Sequence, residues 1–417
     1  MRILHTADWH LGCKTDDMSR IDEQRDALRQ VVEIAKNKEV DIVIIAGDIY
    51  DSVIPSSEAE DLFYKTVKEL NNNGNTMVIA IAGNHDDPKR LSNASVFANN
   101  YGIYLIGQLD KVEIYNNPLN DNNKRIKAIE SGKGYIVFEK NNGEKAVVAY
   151  LPYPSYHRLN EIRDNSISYS DKVKEWIGYG TSRFRHDTVN ILTTHVLTRY
   201  NNQHLRHHNT NDNNHSATQQ EFYGLSVLEN SMGFVNNDAL FTDAHYTALG
   251  HIHGCVPVNR ERNIHYSGPL INQSFDSNSE TQTKVIIADI NNVGLQRIEK
   301  IPLDVKLLKK FTVTSMLQAE IVCRDNPDAW IKVEIENSDR ITIDEIKSLR
   351  TKYRNLVTLA VITKEAKNTK KEFVSKKDLT NAEIFDNFCI RQTGSPAEPE
   401  VKELFLSLMS EDLYETD

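Results

Sequence analysis

The sequence predicts an α/β fold, because strand-like and helix-like segments alternate along the first half of the chain. The continuous apolar runs at 41–46 and 77–82 are typical of strands that are buried on both faces. Between strands, the apolar residues of 22–37 recur at the spacing of one helix face: Leu28, Val31, Val32 and Ala35. Buried strands separated by amphipathic helices indicate a layered core.

The remaining elements of the first half follow the same pattern. Ser57, with Glu60 three residues later, predicts a capping box that opens a helix reaching about Leu70. Further strands are predicted at 2–6, 146–151, 189–193 and 246–249. Several of these buried strands are followed at once by Asp, His or Asn. Because sites in open α/β sheets commonly lie at the carboxyl ends of strands, we expect these polar side chains to converge.

Length and composition are those of an ordinary globular protein. The 417 residues allow two or three domains, and 39% of them are hydrophobic and 26% charged. No apolar run approaches the roughly 18 residues that span a bilayer, so we expect no membrane association, and we expect no secretory signal. Four widely spaced cysteines without a CxxC pair argue against a disulfide framework and fit a reducing cytoplasm.

The net charge of the chain is −10. Phosphate contacts favour Lys and Arg, so this balance is unusual for a protein that binds nucleic acid. Net charge ignores how charges are distributed, however, and bound divalent metals would add positive charge where a phosphate must lie. The composition therefore neither supports nor excludes a DNA substrate.

Five polar elements at strand ends carry the candidate chemistry. They are Asp8-Trp9-His10, Gly47-Asp48, Gly83-Asn84-His85-Asp86, His195, and Gly250-His251-Ile252-His253. Two metal ions close together need one bridging carboxylate, and each ion needs further O or N ligands. We predict Asp48 as the bridge. One ion would take Asp8, His10 and His253, and the other Asn84, His195 and His251. Carboxylate, imidazole and amide ligands without thiolate favour Mn²⁺, with Fe²⁺ or Zn²⁺ as alternatives, over a closed structural zinc site.

His85 directly follows a predicted ligand, so its ring can face a phosphate without binding metal. We predict that it acts as a general acid or stabilises the transition state. Asp86 is predicted to orient the His85 imidazole from a second layer around the site. Trp9 and Leu11 are predicted to pack in the core. Four glycines are predicted to allow tight turns: Gly12, Gly47, Gly83 and Gly250.

The ordered set of these motifs resembles the calcineurin-like metallophosphoesterase superfamily. Their surroundings are similar to the nuclease subunits of the SbcCD-type DNA-repair family. The similar segments are 5–12, 46–51, 248–253, and Tyr266-Ser267-Gly268-Pro269 leading to 273–276. The resemblance is strong over residues 1 to about 290 and weaker beyond. The family's metal ligands fall on Asp8, His10, Asp48, Asn84, His195, His251 and His253, and its catalytic histidine falls on His85.

The resemblance implies a four-layer metallophosphoesterase β-sandwich flanked by helices, with a small α+β capping domain and C-terminal helices. We divide the chain into a nuclease domain over 1–289, a capping domain over 290–370 and a helical segment over 371–417 that binds an ATPase partner. The implied activity is manganese-dependent exonuclease and endonuclease cleavage of double-stranded DNA ends and hairpins. The implied assembly is a homodimer, within a heterotetramer, bound to a coiled-coil ATPase of the SbcC type.

Four segments allow two interpretations each. The Asn- and His-rich stretch 201–218 is interpreted as a polar surface loop rather than a metal site, and it departs from the family pattern. The basic run 364–377 is interpreted as a solvated linker rather than a specific DNA contact. The apolar faces near 384–388 and 401–408 could pack on the body of the protein or bind a partner, and the resemblance favours the partner. Arg90 could contact a phosphate or lie solvated at the surface.

Two other functions compete with a DNA nuclease. A phosphoesterase for small molecules or phosphoproteins would share the metal site, but it would not need the material after residue 290. A non-catalytic scaffold of the same fold would be expected to have lost ligands, whereas all seven ligand positions and His85 are filled here. The sequence assigns no individual DNA contacts.

Overall fold

The computed structural model describes residues 1–15, 18–114, 125–155, 167–199, 233–275, 281–336, 341–362 and 401–402. The chain forms two compact units. The first comprises Met1–Ile335 and Ile341–Ala360, and the second comprises Glu336–Arg340 and Val361–Asp417. The predictions for the loop 201–218 and the run 364–377, and almost all of those for the C-terminal segment 371–417, lie outside the described residues.

The strands in chain order are β1 Arg2–Thr6, β2 Lys14–Thr15, β3 Met18–Ser19, β4 Ile42–Ala46, β5 Met77–Ile81, β6 Ile103–Ile106, β7 Ile126–Gly132, β8 Tyr135–Lys140, β9 Lys145–Leu151, β10 Val189–His195, β11 Leu197–Thr198, β12 Phe234–Val235, β13 Tyr246–Gly250, β14 Pro257–Asn259, β15 Ile264–Tyr266, β16 Lys284–Asn291, β17 Gly294–Pro302, β18 Leu307–Val313, β19 Ala329–Glu336 and β20 Leu356–Ile362. The α-helices are α1 Ile21–Asn37, α2 Ser57–Leu70, α3 Pro88–Asn93, α4 Ser95–Ala98, α5 Tyr169–Thr181, α6 Met316–Asp325 and α7 Ile343–Lys352.

Two large sheets form the centre of the first unit. The first sheet has the strand order β17-β16-β1-β4-β5-β6, and the second has the order β14-β15-β13-β10-β9-β8-β7. Strands β1, β4, β5 and β6 are parallel, as are β9, β10, β13 and β15. Because neighbouring parallel strands end at the same edge of a sheet, the segments after β1, β4 and β5 lie side by side.

The side chains on the two faces of each strand show the order in which the sheets and helices are stacked. Along β4, Ile42 and Ile44 belong to the apolar core between the two sheets, while Val43 and Ile45 face a second core beneath α1 and α2. A third core packs α5, through Val173, on the outer face of the second sheet. The order is therefore helices, sheet, sheet, helix, and the predicted four-layer β-sandwich flanked by helices is confirmed.

The predicted strands and helices of the first half agree with the structure within one or two residues. One detail is wrong: the residue that caps α2 is Ser56 rather than Ser57, and its hydroxyl accepts a hydrogen bond from the Ala59 backbone N–H. Both serines are plausible caps, and the register of the helix decides between them. Within the described part of the chain, no helix has the length and apolar character to span a bilayer.

A small three-stranded sheet, in the order β18-β19-β20, follows the two large ones. Together with α6 and α7 it encloses its own apolar core, which includes Ile331 and Val333. Strands and helices of this small sheet thus share one core. Strand β16 runs past residue 289, and β17, which lies wholly beyond that residue, pairs with β16 in the first large sheet. The division into three domains remains a prediction.

A buried ion pair at the start of α1, between Arg20 and Glu23, contacts Trp330 of the small sheet. The fully buried guanidinium of Arg20 lies 2.7 Å from Glu23 Oε2, and the Trp330 indole N–H donates to the same oxygen at 2.8 Å. Arg20 also donates to Thr15 Oγ1 at 2.6 Å and lies over the Trp330 ring. Glu23 is therefore the anion that compensates a buried cation and anchors β19.

Glu23→Ala is expected to lower the free energy of unfolding by about 2–3 kcal/mol, because it leaves the Arg20 charge buried with less compensation. Chemical denaturation would measure this loss. The matched control is Asp22→Ala on the same helix, where the partner Arg25 is exposed, and its cost should stay below about 1 kcal/mol. Equal losses in the two variants would contradict the role assigned to Glu23.

Candidate metal centre

The structure brings all five predicted elements together between the ends of the two large sheets. Asp8 and His10 follow β1, Asp48 follows β4, and Asn84 and His85 follow β5. From the second sheet, His195 ends β10, and His251 and His253 follow β13. Three overlapping sets of side chains lie close enough to hold a metal ion: Asp8, His10 and His253; His10, Asp48 and His85; and Asp48, His195 and His251. Asp48 belongs to two of them, and the ligand groups predicted from the sequence lie on either side of it.

The first group contains Asp8, His10 and His253. The Nε2 atoms of His10 and His253 lie 3.2 Å apart. His10 Nε2 is also 3.5 Å from Asp48 Oδ2. Asp8 Oδ1 accepts a hydrogen bond from the His251 backbone N–H at 2.9 Å, while Oδ2 is buried without a hydrogen-bond partner among the described residues. This group thus offers a free carboxylate oxygen and two converging imidazole nitrogens.

The second group contains Asn84, His195 and His251. Asn84 Oδ1 lies 3.0 Å from His195 Nε2 and 2.8 Å from His251 Nδ1, and the two nitrogens are 3.3 Å apart. His195 Nδ1 lies 2.8 Å from the Ala46 carbonyl oxygen, which fixes the ring so that Nε2 faces the site. His195 Nε2 is also 3.4 Å from Asp48 Oδ2, the same oxygen that lies near His10. One oxygen of Asp48 therefore lies between the two groups.

Four of these residues have backbone conformations that L-residues rarely adopt. The φ angles are 53° at Asp8, 43° at His10, 50° at Asp48 and 105° at His251. Such conformations cost on the order of 1–3 kcal/mol each and persist only where the surrounding structure holds them. The strand ends hold them here: the backbone N–H groups of Asp8 and His10 donate to the carbonyl oxygens of Gly47 and Asp48. The backbone is distorted in a way that turns the side chains toward one another.

Gly83 permits the closest approach in the site. A Cβ atom at this position would collide with the backbone nitrogen and the Oδ1 atom of Asp48. Asp48 Oδ1 accepts the His85 backbone N–H at 2.9 Å, so the segment 83–85 wraps directly around the Asp48 carboxylate. The glycine predicted to allow a turn serves instead to let two loops touch.

Gly83→Ala is expected to lower the free energy of unfolding by about 1–3 kcal/mol, the usual cost of overpacking. Chemical denaturation in a chelating buffer would measure it without contributions from metal. Gly178→Ala is the control, because a Cβ there meets nothing within 4 Å. Gly178 lies in α5, so that variant should be neutral or slightly stabilised. A Gly83→Ala protein as stable as the control would show that the loops can separate without cost.

Burial and mutual charge shift the pKa values of the site residues. Burial raises the pKa of Asp8 to about 7. Burial also opposes ionisation of Asp48, but the nearby His195 outweighs it and holds the Asp48 pKa well below its usual range. Conversely, burial disfavours the charged form of His195, yet Asp48 raises the His195 pKa to about 9. Burial, with the charge of His195, lowers the pKa of His251 to about 3. The centre of the site thus favours an anion at Asp48 and a cation beside it.

The His85 side chain lies at the exposed edge of this cluster. Its ring packs edge-on against that of His10, with the ring centroids 4.7 Å apart. His85 Nδ1 lies 2.9 Å from the Asp51 backbone carbonyl oxygen and donates to it. Since Nδ1 is engaged, the other ring nitrogen remains for chemistry.

The prediction that Asp86 orients the His85 imidazole is wrong. The Asp86 carboxylate is buried on the other side of the loop and accepts three backbone N–H groups, from Ile49, Tyr50 and Gly83, at 2.8 to 3.1 Å. The buried carboxylate is thus engaged with backbone groups, while His85 Nδ1 bonds to the Asp51 carbonyl oxygen instead. Asp86 therefore ties the segments after β4 and β5 together, and Asp51 holds His85.

A family model described as calcineurin-like phosphoesterase matches residues 1–255. This match covers all eight predicted metal-ligand and catalytic positions. The chain belongs to the calcineurin-like phosphoesterase family. Curated relatives extend the similarity beyond this phosphoesterase domain. The chain is 30% identical to a Bacillus subtilis protein named as the D subunit of the nuclease SbcCD, over 98% of each chain.

A second relative with the same name, from Staphylococcus epidermidis, is 26% identical over 93% of this chain and 92% of its own. The crystal structure of the Thermus thermophilus protein TT1561 aligns with 72% of this chain and 98% of that chain. Its TM-score is 0.36 at 10% identity, which is too low to support any argument. The two relatives place the chain in the SbcD branch of the phosphoesterase family.

The donor set of this phosphoesterase fits divalent cations. Two pairs of imidazole nitrogens approach to 3.2 and 3.3 Å, so that several nitrogen donors converge on the same small volume, as metal ligands do. The buried Oδ2 atom of Asp8, which has no hydrogen-bond partner among the described residues, is a further donor available to a cation. Imidazole, carboxylate and amide oxygen are ligands of Mn²⁺, Fe²⁺ and Zn²⁺.

Three residues near the phosphoesterase site were not found from the sequence. Asp51 acts through its backbone carbonyl oxygen, which no side-chain pattern reveals. Tyr153 packs against both His195 and His251, with ring centroids 6.1 and 6.4 Å away. Gln24 bonds to the loop that carries His10. Only Gln24 leaves a signal, because it is a polar residue on the buried face of an amphipathic helix. Arg90 is exposed and paired with Glu60, as expected of a surface residue.

Proposed function

We propose that this chain is a metal-dependent DNA nuclease that hydrolyses phosphodiester bonds at DNA ends and in hairpins, as exonuclease and endonuclease. The observation that carries the proposal is the position of one Asp48 oxygen between two groups of N and O donors, beside the exposed His85. Two full-length relatives carry the name nuclease, which supports DNA over a small-molecule substrate.

We further propose that the site holds two ions, most favourably Mn²⁺. Asp48 would bridge them, with Asp8, His10 and His253 holding one ion and Asn84, His195 and His251 the other. When bound, the ions supply positive charge that activates water and neutralises the phosphate during hydrolysis. This grouping is supported by two distances: Asp48 Oδ2 lies 3.5 Å from His10 Nε2 in one set and 3.4 Å from His195 Nε2 in the other.

The residues of the chain prepare the site for this reaction. The Ala46 carbonyl oxygen keeps the second nitrogen of His195 directed inward, and the Asp8 carboxylate holds the backbone of His251. His85, with its Nδ1 bonded to Asp51, presents Nε2 to the phosphate and donates a proton to the departing 3′ or 5′ oxygen. His85 and His253 are exposed, whereas most of the proposed ligands are buried. Of these two exposed imidazoles, only His85 lies outside the proposed ligand sets, so it is the one left to meet an incoming DNA backbone.

The assembly is also part of the proposal. The relatives are named as one component of a complex called SbcCD, and we propose that this chain acts with an SbcC-type coiled-coil ATPase in DNA repair and recombination. We propose that residues 371–417 bind that ATPase. We also propose a homodimer. The exposed apolar side chains of Val96, Phe97 and Tyr101 support this, since they lie together on the segment from α4 to residue 101.

A nuclease assay on a labelled double-stranded DNA end tests this function. The native chain with Mn²⁺ should shorten the DNA, and chelation should stop the reaction. His186→Ala changes an exposed histidine away from the cluster and is the matched control for His85→Ala. The His186→Ala chain should cut like the native chain. A hairpin substrate in the same assay tests endonuclease action.

A chain that cleaves a generic small phosphodiester but no DNA, even with an SbcC-type ATPase added, would contradict the nuclease assignment. It would favour the alternative of a phosphoesterase for small molecules. A chain that binds Mn²⁺ but hydrolyses neither substrate would favour a non-catalytic scaffold of the same fold.

A further inference from the structure

Gln24 lies in the first turns of α1 and is completely buried. Its side chain points away from the helix into the loop that joins β1 to β2, the loop that carries His10. The amide nitrogen donates to the backbone carbonyl oxygens of Trp9 at 3.0 Å and His10 at 2.7 Å. It also lies 3.3 Å from Cys13 Sγ. The amide oxygen accepts the Gly12 backbone N–H at 3.0 Å.

These bonds hold a strained segment. His10 has a φ angle of 43°, and a residue in this region stays there only when its neighbours hold it. On one side, the His10 backbone N–H donates to the Asp48 carbonyl oxygen. On the opposite side, the same peptide segment is held by Gln24. The His10 loop is therefore fixed between β4 and α1, and Gln24 provides the α1 side.

Only an amide side chain matches this arrangement. It must donate to two carbonyl oxygens and accept from one N–H, and glutamine can do both at once. A carboxylate would face two carbonyl oxygens with no proton to share. A hydrocarbon would remove the bonds of Gln24 to the Trp9 carbonyl oxygen and the Gly12 N–H, and would leave the His10 carbonyl oxygen with the Cys13 N–H alone. Simple apolar packing, which is what the helix periodicity requires at this position, would be satisfied by leucine or methionine.

We propose that Gln24 is a positioning residue for the metal centre: it sets the direction of the His10 imidazole and thereby the affinity of the ion held by Asp8, His10 and His253. This inference rests on the proposed two-metal site. Groups that orient a ligand typically change metal affinity by about 10–100-fold when they are removed. The ion held by Asn84, His195 and His251 should be affected much less, because Gln24 bonds to none of those residues.

The test measures Mn²⁺ binding to the full chain by titration calorimetry, without any DNA. The native chain should bind two ions. Gln24→Met should retain the fold by circular dichroism and bind one ion with native affinity and the other about 10–100-fold more weakly. The matched control is Gln30→Met on the same helix. Both amide atoms of Gln30 also bond to the backbone, but at Asp304. The Gln30→Met chain should therefore bind both ions with native affinity.

Each outcome decides one question. A native chain that binds no Mn²⁺ would overturn the proposed two-metal site itself. A folded Gln24→Met chain that binds both ions like the native chain would overturn the role of Gln24, as would equal weakening of both ions or the same loss in Gln30→Met. Should Gln24→Met fail to fold, Gln24→Glu keeps the shape and the acceptor for Gly12. Native binding of both ions by that variant would equally overturn the proposal.

Discussion

Asp48→Asn is expected to remove metal-dependent hydrolysis almost entirely, with a fall in rate of more than about 10³-fold. The Asp48 carboxylate is the only described side chain with one oxygen near both donor groups, at 3.5 Å from His10 Nε2 and 3.4 Å from His195 Nε2. An amide oxygen keeps the shape but carries no charge to offset two adjacent cations. Rates on the labelled DNA end and Mn²⁺ binding by calorimetry would both be measured.

The two donor groups give this experiment an internal comparison. Asp8→Asn should weaken the ion of its own group and spare the other, whereas Asp48→Asn should weaken both. Asp187→Asn, at an exposed surface ion pair with Arg185, should leave binding and rate unchanged. An Asp48→Asn chain that still binds two ions at native affinity would rule out a bridging carboxylate.

His85→Ala is expected to slow DNA cleavage by about 10²–10⁴-fold while both ions remain bound. The His85 imidazole lies near His10 and Asp48, but it belongs to neither proposed ligand set, and its ring is held by the Asp51 carbonyl oxygen. The loss should therefore appear in the rate of the bound complex rather than in metal affinity. Single-turnover cleavage and calorimetry with Mn²⁺ would separate the two effects.

A substrate whose leaving group needs no proton separates the possible roles of His85. If the residue donates a proton, a nitrophenyl phosphodiester should be hydrolysed by His85→Ala at close to the native rate. If His85 stabilises charge on the phosphate, the His85→Ala variant should hydrolyse both substrates more slowly, and by the same factor. His85→Ala with native activity on DNA would remove the residue from the mechanism, and loss of both ions would make it a ligand.

The sequence by itself determined the layers of the fold and the composition of the site. Continuous apolar runs predicted β4 and β5, the helical spacing of apolar residues predicted α1, and a capping pattern predicted α2, all within one or two residues. Polar residues at strand ends predicted the convergence of Asp8, Asp48 and His195, because parallel strands end at a common edge. These are local patterns, and a local pattern can be read along the chain.

Only the tertiary structure decided how the site is held. That His85 bonds to the Asp51 carbonyl oxygen, that Asp86 binds three backbone N–H groups, and that Gln24 supports the His10 loop all depend on bonds to main-chain atoms. Every residue carries the same main-chain groups, so no residue type marks the partner in the sequence. Which of them lies within reach of a side chain follows from the packing of loops from different strands, and that is known only once the chain is folded.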